Sequence, residues 1–420
     1  MNEILGMNNK VRISSGNYIK AINFDNAATT PPFNNILVKI TKYAEIYGSI
    51  GRGTGYKSEM TTRIYKECRE YILNYFNASD KFTAVFVNNT TDGINKLSKS
   101  LIKDKEDVVI SSRMEHHSND IPWRKRCRVD YIDIDKNGRL LLSELEDKLI
   151  AYNGRVKYVT LTGASNVTGY INDIYIAAKT AHKYNAKIIV DGAQLVPHMK
   201  VNISGKTEDE QIDFIAFSGH KIYAPFGCGV VIGLKSVLDE AEPFSEGGGT
   251  VKLVTDNDVI YLDSPEKDEA GTPNFFGALS IVEALKNLEQ IGLDKIHKKE
   301  LSLKKTMIEG LKSIKGIECY ADTVNFQDSV GTLVFNFKNI TDEYAAVLLS
   351  KDYGISIRMG CFCAHTYCRR LLSLSQDEVK KTFDKDGSIV GMIRVSFGIY
   401  NEIDEVYKFL DAVNEISSKY

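Results

Sequence analysis

Between about residues 81 and 235 the chain alternates two kinds of pattern. Short runs rich in β-branched and aromatic residues recur as KFTAVFVNN, DVVISS, VDYIDID, VKYVTLTGASN, AKIIVDGAQ, IDFIAFSGHK and GVVIGLK. Their apolar positions are nearly continuous, the pattern of strands covered on both faces. Several are separated by amphipathic stretches, DGINKLSKSLI, LSELEDKL and IYIAAKTAHKYN, which read as the helical crossovers that parallel strands require. The expectation is an α/β unit around a mostly parallel, seven-stranded sheet. After Gly271–Pro273 the pattern changes to two long helices, NFFGALSIVEALKNLEQIG and LDKIHKKELSLKKTMIEGLKSI. Strand-like GTLVFNF, GISIRMG and GMIRVSFG follow, then a last helix from Glu402. This predicts a smaller α+β domain over 274–420, a large domain over 21–273 and an N-terminal segment over 1–20.

Composition narrows the partners. A chain of 420 residues with 43% apolar content exceeds one ordinary core and supports two. Its 53 basic and 55 acidic residues leave a net charge of -2, so no global field favours nucleic acid or a membrane surface. No window approaches the roughly 20 apolar residues of a membrane span, and a cytoplasmic enzyme of small ligands is expected. The seven cysteines are scattered, which does not read as a disulfide framework.

Ligands of open α/β sheets sit outside the carboxyl ends of the strands, and here those ends are rich in polar groups. KIIVDGAQ ends in Asp191 and Gln194, IDFIAFSGHK in Ser218, His220 and Lys221, and VVISSRMEHH in His116 and His117. VTLTGASN ends in Asn166, and FVNNTTDG carries Thr90 and Thr91 into a helix start. The strings D-G-A-Q and S-G-H-K resemble the class V aminotransferase family of enzymes that use pyridoxal 5'-phosphate (PLP), and within it the SufS/CsdA-type cysteine desulfurases. The resemblance runs from FDNAATTPP through NNTTDGIN, MEHHSNDIPW, SNVTGY, EGGG, EAGTPN and RMGCFCA to IRVSFGIYN.

That resemblance implies a PLP-dependent transferase of fold type I and a role for each matching residue. Lys221 would hold PLP as a Schiff base, a task suited to a desolvated amine. Asp191 would keep the pyridine nitrogen protonated so that the ring acts as an electron sink. Gln194 and Asn166 would lie near the ring phenolate, with Asn166 also beside the substrate. His116 would stack on the ring and move protons. Thr90, Thr91, Ser218 and His220 would hold the phosphate at a helix N-terminus. Thr272, in G-T-P, would reach the phosphate of a neighbouring subunit, which implies a homodimer with shared sites. Arg394 would clamp the substrate carboxylate with help from Arg358.

The reaction turns on Cys363, which R-x-G-x-x-C-A aligns with the desulfurase nucleophile. It would take sulfur from L-cysteine as a persulfide and release L-alanine, with a protein sulfur acceptor downstream and a place in iron-sulfur cluster assembly. Read alone, Cys363 is also compatible with a small buried hydrophobe, or with a metal ligand beside Cys361, His365 and Cys368, although that spacing is not a C-x-x-C knuckle. The basic run Arg124, Lys125, Arg126 and Arg128 reads as a solvated helix face or a dock for an acidic acceptor. Two departures fall near the expected site. Gly55 stands in R-G-T-G-Y-K-S, from Arg52 to Ser58, where related desulfurases carry histidine, and GCFCA brings a second thiol, Cys361. The rival readings are another class V reaction (β-elimination, transamination or epimerisation) with Cys363 a bystander, and a non-enzymatic binding protein on the same fold.

Overall fold

The computed structural model describes residues 3–51, 53–387 and 389–420. The seven expected strands form one sheet: β1 (Phe82–Val87), β2 (Val108–Ser112), β3 (Arg128–Ile132), β4 (Val156–Thr162), β5 (Lys187–Asp191), β6 (Phe214–Ser218) and β7 (Gly229–Leu234). Their spatial order is β1-β7-β6-β5-β4-β2-β3, and only β7 runs antiparallel to its neighbours. Successive side chains serve opposite faces, as the pleat requires. Ile215 and Phe217 join the apolar layer that contains Ala177, Ala178 and Leu285. Phe214 and Ala216 join the layer that contains Ile94, Leu97 and Trp123. Helix α1 (Thr90–Leu101) therefore covers one face, while α2 (Glu144–Tyr152), α3 (Ile174–Lys183) and α4 (Phe275–Ile291) cover the other. Burial on both faces explains the unbroken apolar runs of the sequence.

Downstream, α5 (Leu293–Ser313) leads into an antiparallel sheet of β8 (Ile317–Tyr320), β9 (Thr332–Phe337), β10 (Arg358–Gly360) and β11 (Met392–Ser396), in the order β8-β9-β11-β10. Between β10 and β11 lie α6 (His365–Leu371) and α7 (Gln376–Asp386), and α8 (Ile403–Lys419) ends the chain. Leu303, Met307 and Leu311 of α5 and Val406, Phe409 and Val413 of α8 pack on this sheet. The expected strand GISIRMG is divided: Ile355–Ser356 pairs in parallel with Ile22–Asn23, and only Arg358–Gly360 joins β11. The division has a structural effect, because it draws the segment from Ile22 onward against the second sheet, where Asp25 bridges to Ser396. Among the described residues no helix is long and apolar enough to cross a membrane.

Candidate active site

The carboxyl ends of β4, β5 and β6 open into a cavity of about 450 Å³ whose opposite wall comes from residues beyond 350. Lys221 enters it from a single 3₁₀ turn, Gly219–Lys221, directly after β6. A side chain at Gly219 would meet the Cys228 carbonyl oxygen and Ile281 at 2.9 Å, so only glycine lets the turn lie this close to β7 and α4. Asp191 ends β5 and is 3% exposed; its Oδ1 accepts from the Ala193 N–H at 2.9 Å. Burial lowers Lys221 to a pKa of about 8, against the opposing pull of Asp191, with Arg394 lowering it further. Burial likewise raises Asp191 above the usual carboxylate range, while Lys221 draws it back. A lysine part-neutral at working pH beside a buried acid is the pairing a carbonyl-binding site needs.

One end of the cavity is built for an anion. Asn89 caps α1 by accepting from the Asp92 N–H at 2.9 Å, and the helix opens into the cavity at Thr90 and Thr91. The Ser218 hydroxyl accepts from the Thr90 N–H at 2.8 Å and pairs with the Thr90 hydroxyl at 2.7 Å. Thr91 pairs with Ser118 at 2.6 Å, and Ser118 with His116 Nδ1 at 2.9 Å. His220 closes this end, its Nδ1 3.1 Å from the Thr29 hydroxyl, and burial lowers its pKa to about 4.

His116 also accepts from the Ser118 N–H at 3.1 Å through Nδ1, which assigns the ring proton of the neutral form to Nε2. Burial, then the Lys221 charge, lowers its pKa to about 3, so the ring is neutral in this cavity. Behind it, Glu115 is fully enclosed and accepts from Ser112 at 2.5 Å, Asn119 at 2.7 Å and the Thr162 N–H at 2.9 Å. These bonds fix the turn that carries His116. Burial lifts Glu115 to about 8 although three donors oppose it. Gln194 donates to the Ala27 carbonyl at 2.6 Å and Asn166 to the Phe362 carbonyl at 2.8 Å.

Across the cavity, Arg394 of β11 is 3% exposed, donating to the Asn166 carbonyl at 3.0 Å and to Asp25 at 3.1 Å. Its Nε is buried with no hydrogen-bond partner among the described residues. Desolvation lowers it to about 10, with Asp25 opposing. Arg358 meets the other oxygen of Asp25 at 2.7 Å, so one carboxylate holds both arginines at the cavity wall. Cys363 is exposed and lines the cavity from a loop in which Phe362 and Cys363 both adopt left-handed backbone, φ 52° and 54°. The Cys363 carbonyl accepts from the His117 N–H at 2.6 Å. Cys361 and Cys368 are buried outside this cavity, the Cys368 thiol donating to the Cys361 carbonyl at 3.3 Å and the Cys361 thiol to the Val390 carbonyl at 3.4 Å.

Of the residues singled out in the sequence, Thr90, Thr91, His116, Asn166, Asp191, Gln194, Ser218, His220, Lys221, Arg358, Cys363 and Arg394 all line one cavity. Thr272 does not; it is exposed on the surface. Gly55 precedes the helix Tyr56–Tyr75 at φ 119° and does not line the cavity, and Arg52 lies outside the described residues. Sequence reading passed over Asp25, Glu115 and Ser118. The signal for Asp25 was present in FDNAATTPP: a buried arginine needs a carboxylate.

The residues fit PLP. The Lys221 amine and the second oxygen of Asp191 have no protein hydrogen bond among the described residues, and the donor set at the α1 terminus suits a phosphate. An α/β sheet with a half-buried lysine at a strand end, a buried acid beside it and a helix N-terminus across from it defines a PLP enzyme of fold type I. Residues 22–409 match the family aminotransferase class-V, and the chain belongs to that family. Among its relatives, a probable cysteine desulfurase of Halalkalibacterium halodurans is 31% identical over 93% of this chain and 92% of that one. The cysteine desulfurase of Wigglesworthia glossinidia brevipalpis is 31% identical over 89% and 92%. Two solved structures superpose on 95% of both chains: the apo cysteine desulfurase of Thermococcus onnurineus NA1 (TM-score 0.84, 30% identity) and the Escherichia coli cysteine desulfurase CsdA (0.80, 27%).

Proposed function

We infer that the protein is a PLP-dependent cysteine desulfurase that converts L-cysteine to L-alanine and keeps the sulfur as a persulfide on Cys363. The observation that carries this reading is the Cys363 thiol, exposed in the same cavity as Lys221 and Arg394. Bound PLP supplies an electron sink for the substrate amino acid. Lys221 tethers it, and Asp191 holds the proton of the pyridine nitrogen. Gln194, Asn166 and His116 position the ring, while Thr90, Thr91, Ser218, His220 and the α1 N-terminus neutralise the phosphate. Arg394 lines the cavity and binds the substrate carboxylate, with Arg358 at the rim. The Cys363 thiolate then takes the sulfur atom, so that cysteine and one thiol become alanine and one persulfide.

The same reading has residues 21–273 holding PLP and 274–420 supplying Arg358, Cys363 and Arg394. It has Thr272 complete the phosphate site of a second copy, which makes the active unit a homodimer. The seven free thiols fit a reducing cytoplasm, and an exposed Cys363 fits transfer to a protein acceptor for iron-sulfur cluster assembly. The test is Cys363→Ala. It should abolish alanine and sulfide formation from L-cysteine while leaving the PLP absorbance intact. Undiminished alanine from this variant, or pyruvate and ammonia from the unaltered enzyme, would overturn the assignment.

A further inference from the structure

A second cleft, of about 240 Å³, lies behind the Cys363 loop between α6, α7 and the turns after β2. Its polar wall is cationic: Arg113, Arg124, Arg369 and Arg370 all face it, and among the described residues no acidic side chain lines it. Two of these charges are compensated. Arg124 donates to Asp120 at 2.6 Å, and Arg370 donates to Asp133 at 2.7 Å. The other two make no ion pair among the described residues, although Asp133 acts on both at longer range. The Arg113 guanidinium lies 3.7 Å over the Tyr131 ring and has no carboxylate partner among the described residues. Arg369 spends one nitrogen on the Leu374 carbonyl at 2.7 Å and is likewise without a carboxylate. Desolvation, then the Arg370 charge, holds both below the ordinary guanidinium range, so the two cations are clustered at a cost to the fold. Clustered guanidiniums facing one small cavity are the donor set of a bidentate oxyanion site.

We propose that this cleft is a second ligand site, taking a small, doubly charged oxyanion between Arg113 and Arg369. Val379, Ile389 and Val390 form its apolar side, which admits a small organic body behind the charged group. The site borders the nucleophile loop. His365 lines the cleft and packs at 4.6 Å, edge to face, on His117, whose N–H holds the Cys363 carbonyl. An anion there draws Arg113 and α6 together and steadies the loop on which Cys363 rides. Anion binding there does not require the reaction assigned above.

The probe is inorganic phosphate, titrated calorimetrically into the PLP-loaded enzyme at low salt, where the cofactor already fills the other phosphate site. Saturable binding is expected, with the dissociation constant rising about tenfold for each of Arg113→Gln and Arg369→Gln. Lys125→Gln, a charge removed outside the cleft, should leave it unchanged. In parallel, phosphate should raise the thermal midpoint of the unaltered enzyme and not that of the double variant. No saturable binding, or binding equally tight in the double variant, overturns the proposal. Capture of an acidic peptide without phosphate binding assigns the cleft to a protein partner and overturns it equally.

Discussion

Lys221 allows a quantitative test of the cavity, with pH as the perturbation. An ordinary lysine titrates near 10.5 and burial brings Lys221 to about 8. At pH 7 roughly 9% of Lys221 is then unprotonated, against about 0.03% for the ordinary amine, a gain of about 300-fold in the form that attacks a carbonyl. The rate at which PLP attaches to the apoprotein, followed by absorbance and divided by the rate with acetyl-lysine as a free amine, reports that gain. Below pH 8 the rate with protein should rise about tenfold per pH unit, and it should flatten above. The ratio to the free amine should therefore fall between pH 8 and 10.5. A rate that keeps climbing through pH 10 refutes a depressed Lys221. The same shift acts on stability. Because the folded-state value is lowered, the unfolded chain binds more protons between pH 8 and 10.5, so stability from this group rises across that window. Below pH 8 the desolvated charge costs up to about 3 kcal/mol. Lys221→Met should stabilise the apoprotein by up to that amount at pH 7 and by nothing above about 10.5, read as the difference in urea midpoint.

Three further outcomes are expected. Asp25→Asn leaves buried Arg394 without its carboxylate, and should raise KM for cysteine about tenfold with a smaller change in kcat, measured by alanine formation. Glu115→Leu strands the Asn119 amide, the Ser112 hydroxyl and the Thr162 N–H. It should cost about 3 kcal/mol or more in chemical denaturation, while Glu115→Gln, which keeps one acceptor oxygen for the Ser112 hydroxyl and the Thr162 N–H, should cost less. Thr272→Ala, at an exposed residue outside the cavity of its own chain, should weaken PLP retention in a dimer measured by gel filtration. Unchanged retention refutes the shared phosphate site.

The large sheet was legible because its strands are buried on both faces: Ile188 and Val190 serve one layer, Ile189 the other, and each strand announces itself as a continuous apolar run. The polar residues at the ends of those runs could be read as a site for the same reason, since the topology leaves them one place to converge. Contacts made across long chain separations were not legible. Asp25 and Arg394 are 369 residues apart, and neither local periodicity nor spacing encodes their pairing. Splitting the strand GISIRMG between two partners also depends on the chain returning from Ile22–Asn23. The altered loop GCFCA shows the limit most sharply. In sequence Cys361 and Cys363 look interchangeable, two thiols separated by one phenylalanine. Left-handed backbone at Phe362 and Cys363 turns them apart, one thiol exposed in the cavity with Lys221 and the other buried against Cys368 in the wall of the arginine cleft. The choice between the two sulfurs is therefore made by two backbone angles, and a substitution at Phe362 that relaxes them should alter which thiol meets the substrate.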